Sequence, residues 1–365
     1  MPASSSWSRW FRRPLRLQPI RHRRPEVRLA AELLESRINP APFMGGARVA
    51  VADINGDGTA DIVTGAGTGG GAHVRVFNGK DNTELLSFIA FDTSYIGGIY
   101  VAAGDIDGDG KADIVVGSGP DNGGLVRAFH ADGTQFINIA AFGAGYQGAT
   151  TVAVGDVNGD GKGDIIVGTG TAPGKVNVFS GADQSLIATF QAYAFGSGGG
   201  AYVAAADLNG DGKAEIITGP GIGGAPDVKI FSGTGQLLNS FRPFDGSDKG
   251  GVSVAASRVG NVVSIVTGMS WNGHSMFKSY SSSDGYLPHA LTAYDQTFLS
   301  GGVYVGAGDV NGDGVSDIVT GPNIFGRALV NAFSGSGLAA LKSFIAYGDG
   351  AVAPGTNPNP NPNPN

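Results

Sequence analysis

Short apolar runs rich in valine, isoleucine and alanine recur along the chain, separated by stretches of glycine and aspartate. One set reads Tyr100–Gly104, Ile114–Val116, Leu125–Phe129 and Phe136–Phe142, with Asp105–Asp113 and Gly117–Gly124 between the first three. β-Branched and aromatic residues bounded by glycine and aspartate predict strands and turns. No run has the length or the 3.6-residue spacing of an amphipathic helix. Aligning Val49, Val101, Val152, Val203, Val254 and Val305 lays out six units of about 51 residues. A period in the range of about 20–50 residues marks solenoids, propellers or arrays. Four strands per unit match one propeller blade, and a lone four-stranded sheet cannot bury both faces, so blades stack radially until the ring closes. The pattern predicts an all-β fold, a β-propeller of six four-stranded blades over residues 43–350. Seven blades stay open if the flanks add strands.

Each unit repeats two aromatic positions. Phe77, Phe129, Phe179, Phe231, Tyr280 and Phe333 fall on the third strand. Phe91, Phe142, Tyr193, Phe244, Tyr294 and Tyr347 are assigned to the fourth. Both sets are expected to pack between adjacent blades.

Between the first two strands, five of the six units carry Asp-x-Asn/Asp-Gly-Asp-Gly-x-x-Asp/Glu. The candidate metal ligands are Asp53, Asn55, Asp57 and Asp61; Asp105, Asp107, Asp109 and Asp113; Asp156, Asn158, Asp160 and Asp164; Asp207, Asn209, Asp211 and Glu215; and Asp309, Asn311, Asp313 and Asp317. Oxygens at positions one, three and five, a carbonyl at seven and a carboxylate at nine can curl around one hard cation, with glycine at six permitting the sharp turn. Ile54 and Ile62 point the other way, into the core. Position twelve should be a bidentate glutamate in a helix-flanked calcium loop. Here it is Thr64, Val116, Val167, Thr218 or Thr320, each within a predicted strand. The all-oxygen set disfavours zinc, and magnesium's demand for octahedral geometry and retained water disfavours it. Calcium at about five sites is the expectation. Capped turns without metal would leave three or four carboxylates crowded together, five times over. The fifth unit departs from the pattern. Arg258 stands at the first-aspartate position in a shorter loop, so no calcium is expected there, and its guanidinium is expected to pair with a neighbouring acid. The same unit has Trp271 and His274 where the others have a glycine-rich turn.

Composition sharpens this picture. There are 63 glycines and no cysteine, so no disulfide braces the fold. Residues 1–43 carry a net charge of +6 and the rest −13, and 16 of the 28 acids in that remainder sit in the five loops. The acidity is therefore mostly ligand chemistry. No run reaches the roughly 18 apolar residues of a membrane span. The arginine-rich start (residues 1–42) lacks a conventional apolar signal stretch and an aromatic stacking module for nucleic acid. Its segment from Arg28 to Ala41 resembles leaders of large bacterial exported proteins, an atypical leader. Asn357 to Asn365 alternates asparagine with proline, so residues 351–365 read as a stiff linker or tail.

The acidic loop, followed by Ile-Val/Ile-x-Gly inside four-stranded units, resembles FG-GAP/VCBS repeats over residues 43–350. Those repeats build the integrin α-subunit β-propeller and many bacterial surface proteins. The resemblance implies that the loop joins the first two strands of a blade, binds calcium on one face and leaves the other face for partners. The expected function is a calcium-stabilised interaction or adhesion module, extracellular or at the cell surface, with a protein or polysaccharide ligand. It would act as a monomeric propeller or within a larger surface protein, without nucleic acid. The alternative is a polysaccharide lyase or hydrolase on a propeller scaffold. His22, His73, His130, His274 and His289 fall at non-equivalent places, and no nucleophile elbow or zinc signature accompanies them.

Overall fold

The computed structural model describes residues 43–348 apart from 144, 172, 196–197, 271–274, 283–287, 295–300 and 324–326. The leader, the Asn-Pro tail and the Trp271–His274 turn lie outside the described residues.

Each predicted unit forms one antiparallel four-stranded sheet in chain order. Blade 1 is β1 (Ala47–Ala52), β2 (Asp61–Ala66), β3 (His73–Phe77) and β4 (Glu84–Ile89). Blade 2 is β5 (Ile99–Gly104), β6 (Asp113–Ser118), β7 (Leu125–Phe129) and β8 (Gln135–Ala140). Blade 3 is β9 (Thr150–Gly155), β10 (Asp164–Thr169), β11 (Gly174–Phe179) and β12 (Leu186–Tyr193). Blade 4 is β13 (Ala201–Ala206), β14 (Glu215–Pro220), β15 (Val228–Phe231) and β16 (Leu237–Phe241). Blade 5 is β17 (Val252–Val259), β18 (Val262–Met269), β19 (Met276–Ser281) and β20 (Pro288–Thr292). Blade 6 is β21 (Val303–Gly308), β22 (Asp317–Pro322), β23 (Leu329–Phe333) and β24 (Ala340–Ile345).

The first strands form the inner ring: β1 packs on β5, β5 on β9, β9 on β13, β13 on β17, β17 on β21, and β21 on β1. The last contact closes the ring at six blades, not seven. Second strands are apolar on both faces because each face meets a different neighbour. Ile62 packs with Val319 and Val330 of blade 6. The next residue, Val63, packs with Ile99, Val101 and Ile114 of blade 2. Six such clusters fill the six junctions. Full burial of one Val or Ile side chain contributes about 1.5–3 kcal/mol, so these second strands hold the fold together.

The aromatic positions lie at the junctions as expected, with one correction. Only Tyr193 of the second set falls inside a fourth strand; Phe91, Phe142, Phe244, Tyr294 and Tyr347 lie just beyond it. There the chain has left the ladder and the ring can cross to the next blade. The Tyr193 hydroxyl donates to Asp227 O at 2.8 Å, and Tyr294 donates to Leu329 O at 2.8 Å.

A second set of junction contacts has no signature in the hydrophobic pattern. A polar side chain in the middle of each third strand donates to a carbonyl of the preceding blade. Arg127 reaches Ala90 O (2.8 Å), Asn177 reaches Ala141 O (2.7 Å), and Lys229 reaches Ala192 O (2.7 Å). Lys278 reaches Pro243 O (2.7 Å), Asn331 reaches Ala293 O (3.0 Å), and Arg75 reaches Ala346 O.

Among the described residues no strand is exchanged between the first and last blades, so ring closure rests mainly on side chains, with one backbone bond between loops, Ala60 N–H to Asp309 O. The Tyr347 hydroxyl donates to Thr64 O (3.0 Å) or His73 O (2.9 Å) of blade 1. The Phe77 and Phe344 rings meet at 4.7 Å, and Phe43 meets Tyr347 edge-on at 5.9 Å. Tyr347→Phe is expected to cost about 1–2 kcal/mol through the unpaired buried carbonyls, and Tyr347→Ala about 3–5 kcal/mol through the added cavity. Urea unfolding of the two variants against wild type measures both.

Candidate metal centre

The five acidic loops join the first and second strands of blades 1, 2, 3, 4 and 6, at one end of the ring. In each, the first aspartate organises the turn. Asp53 Oδ1 accepts the N–H of Gly56 (2.8 Å) and Asp57 (3.0 Å), and Oδ2 accepts that of Gly58 (2.8 Å). Asp105, Asp156, Asp207 and Asp309 likewise accept the N–H groups of the glycines at positions four and six. Gly56 and Gly58 have φ of 74° and 82°, where a side chain would be strained. Asn55 Oδ1 accepts the Asp57 N–H at 2.8 Å, so position three faces the same turn.

The ninth position lies beneath. Asp61 is fully buried; its Oδ2 accepts the Ile54 N–H (3.1 Å) and its Oδ1 the N–H of Gly79 (3.1 Å), in the turn after β3. Asp164 and Asp317 repeat both bonds, to Val157 and Gly181 and to Val310 and Gly335. Asp113 accepts from Ile106, and Glu215 from Leu208. Desolvation pushes the position-nine carboxyls of Asp61, Asp113, Asp164 and Glu215 upward, and the carboxylates at the top of the same loops add to it. Asp317 is pushed up to about 6, again first by burial. Asp57 is held low by Lys80, 3.1 Å away.

Blade 2 gathers the densest ligand set. Oxygens of Asp105, Asp107 and Asp109 lie within 4.8 Å of one another, and so do ligand atoms of Asp107, Asp113 and His130. His130 Nδ1 is 3.2 Å from Asp113 Oδ1 and 3.6 Å from Asp107 Oδ2, and its ring stacks on Phe136 at 4.0 Å. In the other four loops position three is asparagine, so the equivalent group includes a neutral amide oxygen. The sequence pattern missed His130 because it sits in the turn after β7, where the other blades carry Asn78, Ser180, Ser232 and Ser334. The donor set fits a hard cation: carboxylate and amide oxygens converge on a glycine-shaped turn above a buried acid that, among the described residues, forms no ion pair with lysine or arginine. His73 is buried beside Ser87, and burial, with help from Arg75, lowers its pKa to about 4. It joins none of the acidic groups.

The loops are stitched to one another. The N–H at position eight donates to the carbonyl of the first aspartate in the preceding blade: Ala112 to Asp53 (3.1 Å), Gly163 to Asp105 (2.6 Å), Ala214 to Asp156 (2.6 Å) and, across the ring closure, Ala60 to Asp309 (2.9 Å). Blade 5 breaks the series. β17 and β18 pair as far as Val259 and Val262 and close through Gly260 and Asn261, so no ligand-bearing loop is formed. Arg258 Nη1 instead donates to Asp207 O at 2.9 Å and lies 3.8 Å from Asp207 Oδ1. The expected neighbouring acid is thus the first ligand of blade 4, and the guanidinium stands in for the missing amide.

The comparisons with known proteins support an FG-GAP, integrin-like β-propeller. The FG-GAP-like repeat profile matches residues 53–116, 105–167 and 156–218. Integrin alpha-PS2 of Drosophila melanogaster is 27% identical over 164 residues, covering 40% of this chain and 12% of that protein. Human (Homo sapiens) integrin alpha-8 is 29% identical over 191 residues, covering 46% and 18%. The chain therefore matches less than a fifth of the length of these curated relatives. Among solved structures, the Neurospora crassa Pan2 WD40 domain aligns with a TM-score of 0.48 at 11% identity, covering 83% of this chain and 80% of that one.

Two outcomes are expected. The position-nine carboxyls titrate higher in the fold than in the unfolded chain. In chelator, the stability they contribute is therefore complete below the unfolded pKa near 3.8 and is lost as pH rises through about 6, the value at Asp317. Protons compete with a cation for the same oxygens. The rise in Tm on adding calcium chloride should be small near pH 4.5 and grow to pH 7, as melting curves across that range will show. Arg258→Ala should destabilise the metal-free protein by about 1–2 kcal/mol through the lost charged hydrogen bond, read by denaturant titration in chelator.

Proposed function

We propose that this chain is a calcium-stabilised propeller serving as an interaction or adhesion module, extracellular or at a cell surface. The carrying observation is the buried acid at position nine, repeated under the glycine turn in five of six blades. Five bound dications would relieve the crowding of those acids and rivet each loop to its junction. Calcium is then structural. The integrin likeness supports an interaction role, and no helix among the described residues is long and apolar enough to cross a membrane. The arginine-rich segment with its leader-like motif accords with export.

The partner face in this reading is the one opposite the loops. Antiparallel pairing sends the turns between second and third strands, and the connections between blades, to that end. Four large apolar side chains are exposed there: Met44, Ile96, Phe195 and Ile222, with Phe195 81% exposed. A protein or polysaccharide ligand suits a rim so poor in side chains, with these apolar groups as contact points.

Extracellular calcium modules bind with dissociation constants of about 10⁻⁴–10⁻³ M. At ten times that constant each site contributes about 1.4 kcal/mol, so five together rival the roughly 5–15 kcal/mol of an ordinary domain. Chelation should lower Tm steeply and speed proteolysis, and calorimetric titration of the stripped protein should count about five sites. An unchanged melting curve in chelator would contradict this reading.

A further inference from the structure

Immediately before each aligned valine, the inner strands carry Arg48, Tyr100, Thr151, Tyr202, Ser253 and Tyr304. These residues face the ring axis. The rings of Tyr100, Tyr202 and Tyr304, from blades 2, 4 and 6, meet with centroids 6.0–6.4 Å apart, which alternate blades can do only at the centre. Thr151 and Ser253 use their hydroxyls across the neighbouring junctions, on Ala201 O (2.6 Å) and Val303 O (2.8 Å).

Arg48 differs from every other polar group of this layer. It is 7% exposed, and its Cζ lies 4.8 Å from the Tyr100 ring centre and 5.3 Å from that of Tyr304. Its Nε and Nη1 have no hydrogen-bond partner, and among the described residues no carboxylate pairs with it. Two tyrosine faces offset part of the cost of burying a guanidinium, but a buried charge calls for a counter-charge and filled donors. Two bare glycines border the group: a Cβ at Gly67 would stand 2.7 Å from Nη1, and one at Gly98 3.1 Å. Both belong to the glycine-rich end of the ring, which is the face away from the acidic loops. Burial raises the pKa of the Tyr202 and Tyr304 hydroxyls, so those two supply no negative charge.

We propose that Arg48, beside the tyrosine cluster at the ring axis, is the receptor for a carboxylate approaching from the glycine-rich face. A single guanidinium balances one negative charge, which suits a monovalent carboxylate better than a phosphate dianion. Arginine donates charge-assisted hydrogen bonds to such a group. The carboxylate is that of a small organic acid or of an acidic side chain on a polypeptide; the chemistry at Arg48 is the same.

The test uses the whole chain in saturating calcium chloride, with chloride exchanged for acetate at constant ionic strength. Melting curves of wild type should show a saturable rise in Tm that Arg48→Met lacks. Calorimetry with acetate and with the capped tripeptide Gly-Glu-Gly separates the two sources. Tighter binding of the tripeptide assigns the group to a polypeptide, and equal binding to a free acid. An acetate response equal in wild type and Arg48→Met, no response in either, or an equal response to sulfate overturns the proposal. Should Arg48→Met not fold, Arg48→Lys decides. Its ammonium lacks the Nε donor, so acetate binding should weaken at least roughly tenfold, and unchanged affinity overturns the proposal. Calcium is saturating throughout, so failure here leaves the calcium reading untouched.

Discussion

Every blade has two apolar faces and no cover of its own, and the rest of the structure follows from that constraint. Consecutive residues of a second strand, such as Ile62 and Val63, belong to different cores on opposite sides of the sheet. Neither core exists until a neighbouring blade arrives. Six junctions must therefore form together, and the last is made between ends of the chain far apart in sequence. Because no strand is shared across it, Tyr347, Phe344 and Arg75 carry a closure that hydrogen-bonded ladders provide within each blade.

The acidic loops are tied into the same constraint. Position two of each loop is an apolar residue such as Ile54 or Ile106, buried in the junction with the following blade. Position eight donates its amide back to the preceding loop. A loop cannot change shape without disturbing two junctions, so a cation held there would act on the ring as a whole. Blade 5 shows what replaces a loop when it is lost. A longer hairpin fills the space, and one arginine takes over the hydrogen bond to Asp207. A fixed organic cation then stands beside the candidate ligand set of blade 4.

The two ends of the ring are chemically unlike. One is crowded with carboxylates and ordered by hydrogen bonds between them and the backbone. The other is bare backbone with scattered exposed apolar groups and a buried arginine behind it. Antiparallel hairpins enforce the division, since alternate turns must emerge at opposite ends. The carboxylate-rich loops and the proposed partner face are thereby kept apart by the length of a strand.

Much of this was legible in the chain. Alternation of short β-branched runs with glycine and aspartate set strand type and order, because those preferences act over a few residues. The 51-residue period set the unit, and the spacing of Asp53, Asn55, Asp57 and Asp61 set the loop chemistry, because all its candidate ligands are neighbours in sequence. What required the tertiary structure was whatever joins one blade to another. Six blades were read from the chain, but only β21 meeting β1 excluded a seventh. The polar arms from Arg75 to Asn331 vary in residue type, so no pattern announces them. His130 reaches Asp113 and Asp107 only because a hairpin folds the turn after β7 back over the loop. Arg48 reads as an ordinary strand residue until three tyrosines from alternate blades converge around it. Local sequence determines contacts made within one repeat; contacts between repeats depend on how the ring closes, and only the closed ring decides them.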